Sequence, residues 1–231
     1  YCSLPFRTTD IKNSLIPIIE SGLKHTNKLG LLGASVTQHP HFEELLDYLI
    51  EKHKSSPLHV QIASVRADTI SKKLADGLHA LGVKSVTMAI ESGSDKIREI
   101  INKKVSKETI LNSIQTIYDS GINSIKLYGM VGIPQETNDD LDETIKLLKE
   151  IKTRNKGKRL TWGCSTFVPK AQTPFQYYGI SKEAEKRLKY LTKELHKAGI
   201  EFKPESYDWS VVQGLISRGD SSVNKILVDA Y

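Results

Sequence analysis

The sequence predicts an α/β protein built from repeated βα units around a parallel sheet. Short apolar, β-branched runs alternate with longer segments of helical period, the pattern of strands buried on both faces and joined by crossover helices. Leu81-Gly82-Val83, Ser120-Gly121-Ile122 and Ala198-Gly199-Ile200 each place a glycine just past a helical segment, where a left-handed residue ends the helix before an apolar run resumes. Small, polar or proline-containing strings follow strand after strand, and in such folds ligands sit beyond the strands' carboxyl ends.

Taken in order, strands are expected near residues 29–33, 59–63, 85–90, 124–128 and 160–167, with Gly199-Ile200-Glu201-Phe202 as one more strand at the sheet edge. Helices are expected near 11–23, 42–52, 69–81, 107–120, 139–152 and 182–198. The fifth of these shows its direction: Thr137 is placed to cap it, Asp139, Asp140, Asp142 and Glu143 fill its first turns, and Lys146, Lys149 and Lys152 come later. Acid first and base last suits the helix macrodipole. Periodicity leaves an open sheet and part of a barrel equally available. Beyond residue 203, Tyr207, Trp209 and a helix-like run at 211–216 are expected to pack across the barrel or to begin a C-terminal extension.

With 231 residues, 39% apolar and 26% charged, the chain can bury one α/β barrel domain or two small domains. No run approaches the roughly 20 apolar residues of a membrane span. The two cysteines, Cys2 and Cys164, are far apart, which argues against a disulfide-stapled secreted fold and suits a reducing, cytoplasmic setting. The net charge of +6 is spread along helices with acidic residues between, so solvated helix faces are the expectation and a nucleic-acid surface the alternative. The chain begins at Tyr1 rather than Met and is expected to be a fragment.

The strings at the strand ends together resemble the radical S-adenosylmethionine (SAM) superfamily, over nearly the whole chain. Ile90-Glu91-Ser92-Gly93-Ser94-Asp95, followed by Ile101-Asn102-Lys103-Lys104, looks like that family's fourth-strand motif and the helix leading from it. Gly132-Ile133-Pro134-Gln135-Glu136-Thr137 looks like its fifth-strand motif, and Tyr1-Cys2 like the end of its C-x-x-x-C-x-x-C cluster motif. Phe167-Val168-Pro169-Lys170-Ala171-Gln172-Thr173-Pro174-Phe175-Gln176, with Ser217-Arg218-Gly219-Asp220 downstream, is similar to the group that often carries an N-terminal cobalamin-binding domain.

The resemblance implies a partial (β/α)6 TIM-like barrel over residues 1–203, lacking its first strand and two cluster cysteines, with an extension over 204–231. It implies a [4Fe-4S] cluster with Cys2 as one ligand, thiolates being soft, anionic donors suited to iron. Around SAM it places Gly33 and Ala34 by the amino group, in a Gly-Ala-Ser string where the family usually has an acidic glycine motif. Ser64 and Arg66 match polar third-strand positions, and Glu91 and Ser92 the pair near ribose and carboxylate, where a carboxylate can accept from ribose hydroxyls. Gly132 and Ile133 would pass beside the adenine, and Phe167 and Val168 would offer it an apolar wall. Cys164, in an apolar run, is read as a buried thiol. The implied full-length activity is generation of a 5′-deoxyadenosyl radical, served by an electron donor such as flavodoxin or ferredoxin, with cobalamin in a domain outside this chain; the chain as given is expected to be inactive. Two other readings stand beside it: a cluster-free remnant acting as a binding or scaffold module, and an RNA-modifying enzyme.

Overall fold

The computed structural model describes residues 11–33 and 35–230; Cys2 and Ala34 lie outside the described residues. A π-helical turn over Ile11–Leu15 leads into α1 (Ile16–Leu23), followed by β1 (Lys28–Leu31), α2 (Phe42–Ser55), β2 (His59–Ile62), α3 (Lys72–Ala80) and β3 (Ser85–Glu91). Next come α4 (Asp95–Ile100), α5 (Lys107–Asp119), β4 (Ser124–Val131), α6 (Asn138–Arg154), β5 (Arg159–Thr166) and α7 (Glu183–Lys197). The C-terminal part is β6 (Glu201–Pro204), α8 (Tyr207–Arg218) and α9 (Val223–Ala230).

All strand pairs are parallel: β1 with β2, and β3, β4, β5 and β6 in sequential order. An isolated bridge between Val65 and Met88 joins the two ladders, with the Val65 N–H donating to the Thr87 carbonyl at 2.8 Å. The strand order never reverses, so this is a singly wound wall rather than the doubly wound sheet, whose order turns back on itself.

Burial along the strands follows from that winding. Val86, Met88 and Ile90 on β3 and Ile125 and Leu127 on β4 are fully buried in the main core, which also holds Leu78, Ile114, Ile117, Leu148 and Ile151 from the helices. The intervening Lys126 and Tyr128 face the other side and are exposed. Each fully buried Leu or Ile contributes roughly 1.5–3 kcal/mol relative to exposure, so the helix-covered face supplies the stability and the opposite face is left for polar work. On that face the Tyr128 ring lies against Gly163, where an added Cβ would come within 2.6 Å of it.

The local signals act as expected at Gly82, Gly121 and Gly199, which have φ of +75°, +100° and +63°. Two helices start later than the periodicity suggests. Regular α1 begins only at Ile16, because Pro17 has no N–H to give to a preceding turn. For α3, the Ser71 hydroxyl accepts from the Leu74 N–H at 3.1 Å and caps the helix there, leaving Ala67–Thr69 as a separate 3-10 turn. The six-residue α4 is too short to carry a periodic signal.

At Gly93 the β3–α4 turn meets α6 backbone to backbone: an added Cβ would lie 2.3 Å from Thr144 Cα and 2.8 Å from its nitrogen. Gly93→Ala is therefore expected to lower stability by about 3 kcal/mol or more, at the upper end of overpacking costs, read as a reduced urea midpoint with unchanged slope.

Candidate active site

The carboxyl ends of β3, β4 and β5 bring together most of the residues singled out from sequence. β3 ends in a bulge: Ala89 pairs with Tyr128 and Glu91 with Gly129, leaving Ile90 as the extra residue. The bulge re-aims the next side chain, and Glu91 sits in the left-handed region at φ +68°, a conformation that costs a non-glycine residue about 1–2 kcal/mol. An ion pair holds it there. Lys103 Nζ lies 3.1 Å from Glu91 Oε1, with the two side chains only 2% and 11% exposed. Burial pushes the Lys103 ammonium pKa down, and the Glu91 carboxylate opposes that shift; Arg66 and Asp68 are near enough to act on it too. Lys103 reaches this position through a turn with left-handed Asn102 and Lys104.

Arg66 is held in a forked pair with Asp68, Nε to Oδ1 at 2.9 Å and Nη2 to Oδ2 at 2.7 Å. Ser64 and Gly33 are exposed at the ends of the neighbouring strands. The Ser92 hydroxyl turns toward α6: it accepts from the Ser94 N–H at 3.1 Å and lies 3.4 Å from Thr144 Oγ1, while the Ser92 carbonyl accepts from Arg98 Nη1 at 2.6 Å. Ser92 thus shapes the turn behind Glu91.

After β4, Gly132 at φ +82° opens a tight loop. Its N–H donates to Glu136 Oε2 at 2.6 Å, and Arg187 Nη1 from α7 donates to the same oxygen at 2.6 Å. Burial drives the Glu136 carboxyl pKa up, against the pull of the Gly132 N–H and Arg187. Ile133 and Phe167 pack with Ile97 and Ile101 in a small apolar cluster, separate from the main core, against which Phe175 lies. The Phe175 ring meets Phe167 edge-on at 5.4 Å. Val168 is buried close to Gly214 of α8.

The Gly93 and Gly132 loops are tied together by Asp140. Its carboxylate accepts from Ser94 Oγ at 2.7 Å, Lys96 Nζ at 2.6 Å, and the Thr137 N–H and hydroxyl at 2.7 and 2.9 Å. Burial alone would raise the Asp140 pKa, but these donors outweigh it and bring it to about 2. Sequence reading assigned none of Lys103, Arg187 or Lys96 to the site; Lys103 and Glu136 stood inside quoted motif strings without a role, and Arg187 carried no local signal.

Two buried hydroxyls at strand ends, Ser35 Oγ after β1 and Thr166 Oγ1 at the end of β5, have no hydrogen-bond partner among the described residues, an arrangement suited to a polar ligand. The buried acid–ammonium pair at the end of β3 is complementary to a molecule carrying an ammonium, a carboxylate and hydroxyls, and SAM fits that description. Among the described residues no group of three or more His, Cys, Asp or Glu side chains is placed to hold a metal ion. Cys164 is buried, and burial first, then Glu136 and Glu205, pushes its thiol pKa well up.

Two measurements check this geometry. Lys103→Met removes the ammonium beside the buried Glu91 carboxylate and should cost about 3 kcal/mol of stability, with much of the loss recovered in Lys103→Met/Glu91→Gln. Asp140 has a folded pKa of about 2 against an ordinary 3.8, so its stabilisation is complete above the ordinary value and is lost as pH falls through about 2. Asp140→Asn should remove about 2 kcal/mol of pH dependence in that acid window, seen by denaturant titration at stepped pH.

Comparison with known proteins shows the family. The family model described as "Radical SAM superfamily" matches residues 10–148. An uncharacterised protein of Methanocaldococcus jannaschii is 32% identical over 224 residues, covering 96% of this chain and 48% of that protein. A tRNA-2-methylthio-N(6)-dimethylallyladenosine synthase of Bacillus thuringiensis is 25% identical over 252 residues, covering 100% of this chain and 47% of the synthase. The chain thus spans about half the length of these curated relatives. Among solved structures, a radical S-adenosylmethionine methyltransferase from Kitasatospora setae with cobalamin and a [4Fe-4S] cluster bound aligns with a TM-score of 0.55 at 12% identity, over 68% of this chain and 29% of that one. At that identity the likeness concerns the fold, an α/β wall of parallel strands like that of the TIM-like barrels. With the family model covering more than half of its residues, the chain belongs to the radical SAM superfamily.

Proposed function

We propose that this chain is the core of an enzyme that binds a [4Fe-4S] cluster through Cys2 and two further cysteines of its full-length form, and holds SAM across the ends of β1 to β5. The observation that carries this reading is the buried Glu91–Lys103 pair at the β3 bulge. A carboxylate strained into place beside a desolvated ammonium offers both partners a zwitterionic, hydroxyl-bearing ligand needs. Exposed Gly33 and Ser64 and the forked Arg66–Asp68 pair flank it, and the Ile133–Phe167 cluster offers the adenine an apolar surface.

When bound, the cluster and SAM supply one-electron cleavage of a sulfonium bond and hydrogen abstraction from substrate. The chain's own residues orient the ligand and shield it from water: Glu91 and Lys103 fix its polar end, and the Gly132 loop fixes the ring. The electron would come from a donor such as flavodoxin or ferredoxin. The cobalamin bound in the Kitasatospora setae enzyme supports a cobalamin domain elsewhere in the full-length protein. A reducing, cytoplasmic setting suits the two thiols, and no described helix is long and apolar enough to cross a membrane.

The test is anaerobic reconstitution of the full-length protein. It is expected to take up about four irons and to cleave SAM on reduction, with both lost in Cys2→Ala; a protein that binds no iron would overturn the reading in favour of a scaffold module. Glu91→Gln should raise the SAM KM about tenfold or more, the scale of one hydrogen bond to a charged group.

An RNA substrate is the second reading, favoured by the tRNA-modifying relative that aligns along the whole chain. A phosphate-tracking surface requires tRNA affinity to fall steeply with salt, and a flat response in filter binding would remove it.

A further inference from the structure

Arg187 stands apart from the residues proposed to touch SAM. It projects from α7 with its side chain 16% exposed, next to a Glu136 side chain that is 1% exposed. Nη1 donates to Glu136 Oε2 at 2.6 Å and Nη2 to the Glu136 carbonyl at 2.8 Å. The same Oε2 accepts from the Gly132 N–H at 2.6 Å. Two donors converging on one buried oxygen fix the carboxylate and the Gly132 peptide plane together. The helix also touches this loop directly: an added Cβ on Gly132 would lie 2.9 Å from Ala184 Cβ, and Ala184 shares a helix face with Arg187 three residues on. From the other side, Lys96 Nζ donates to the Gln135 carbonyl at 3.2 Å.

We propose that Arg187 is a positioning residue: through Glu136 it sets the Gly132 peptide and the Ile133 backbone that follow β4, so that the placement of α7 governs how tightly SAM is held. This rests on the reading that the Gly132–Ile133 loop meets SAM. Without the guanidinium, Glu136 is a carboxylate in a desolvated site among Asp140 of α6, the Cys164 thiol of β5 and the Gly132 N–H. One of the two donors on Oε2 is then lost, and burial favours the neutral carboxyl, which accepts from the Gly132 N–H more weakly than a carboxylate does. The loop is freed at one end while Lys96 and Asp140 still hold the other.

The experiment compares wild type, Arg187→Ala, Arg187→Lys and the isosteric Glu136→Gln in the full-length protein. Two quantities are read: SAM affinity of the cluster-loaded form by equilibrium dialysis, and the Gly132 amide proton shift of the cluster-free form by NMR. Arg187→Ala should weaken SAM binding about tenfold, raise KM more than it lowers kcat, and move the Gly132 amide upfield, with Arg187→Lys in between. If Arg187→Ala does not fold, Glu136→Gln and Arg187→Lys carry the same comparison. Unchanged SAM affinity in folded variants, or an unmoved Gly132 amide, would reduce Arg187 to a strut between α7 and the loop. Loss of SAM binding in wild type itself would instead sink the SAM reading, and the amide shift would still report on the clamp.

Discussion

The Asp140 carboxylate at the start of α6 is the point on which the mouth of this wall depends. It gathers Ser94 and Lys96 from the segment after β3 and Thr137 from the loop after β4. A carboxylate this deeply placed would ordinarily be a liability; with four donors it stays ionised far into acid. Because the segments it joins carry Glu91 and Gly132, one capping residue fixes the distance between the polar and apolar halves of the site. The backbone approach of Gly93 to Thr144 reinforces the same joint from below.

Stability and site geometry are exchanged openly at β3. The bulge and the left-handed Glu91 cost free energy, and the buried ion pair with Lys103 offsets part of it. The helix-covered face, with Val86, Met88, Leu127 and Ile125 fully buried, supplies the surplus that lets such a strained strand end persist. The site is thus pre-organised by elements whose own packing lies elsewhere.

What the sequence disclosed and what it withheld divide along a physical line. Alternation of apolar runs, the glycines at 82, 121 and 199, and the Thr137 cap are local signals, each decided within a few residues, and each reappears in the structure. The bulge at Ile90 arises from pairing against β4 and has no local signature. The Glu91–Lys103 contact bridges 12 residues and depends on left-handed backbone at Glu91 and Asn102, and Arg187 meets Glu136 from 51 residues away. Ser92 shows the converse: its place in a motif suggested a ligand contact, whereas its hydroxyl is engaged by Ser94 and Thr144. Motif strings fall together at the carboxyl ends of β3, β4 and β5; how their side chains are directed is set by strand pairing and by distant helices.

Cys164 carries a practical consequence. Its thiol is enclosed on β5 and held protonated by burial and by the nearby acids, and only the thiolate reacts readily with alkylating reagents. A maleimide added to the folded protein at neutral pH therefore passes over Cys164. The same residue becomes reactive when β5 comes out of the sheet, so labelling at Cys164 is a built-in measure of unfolded molecules.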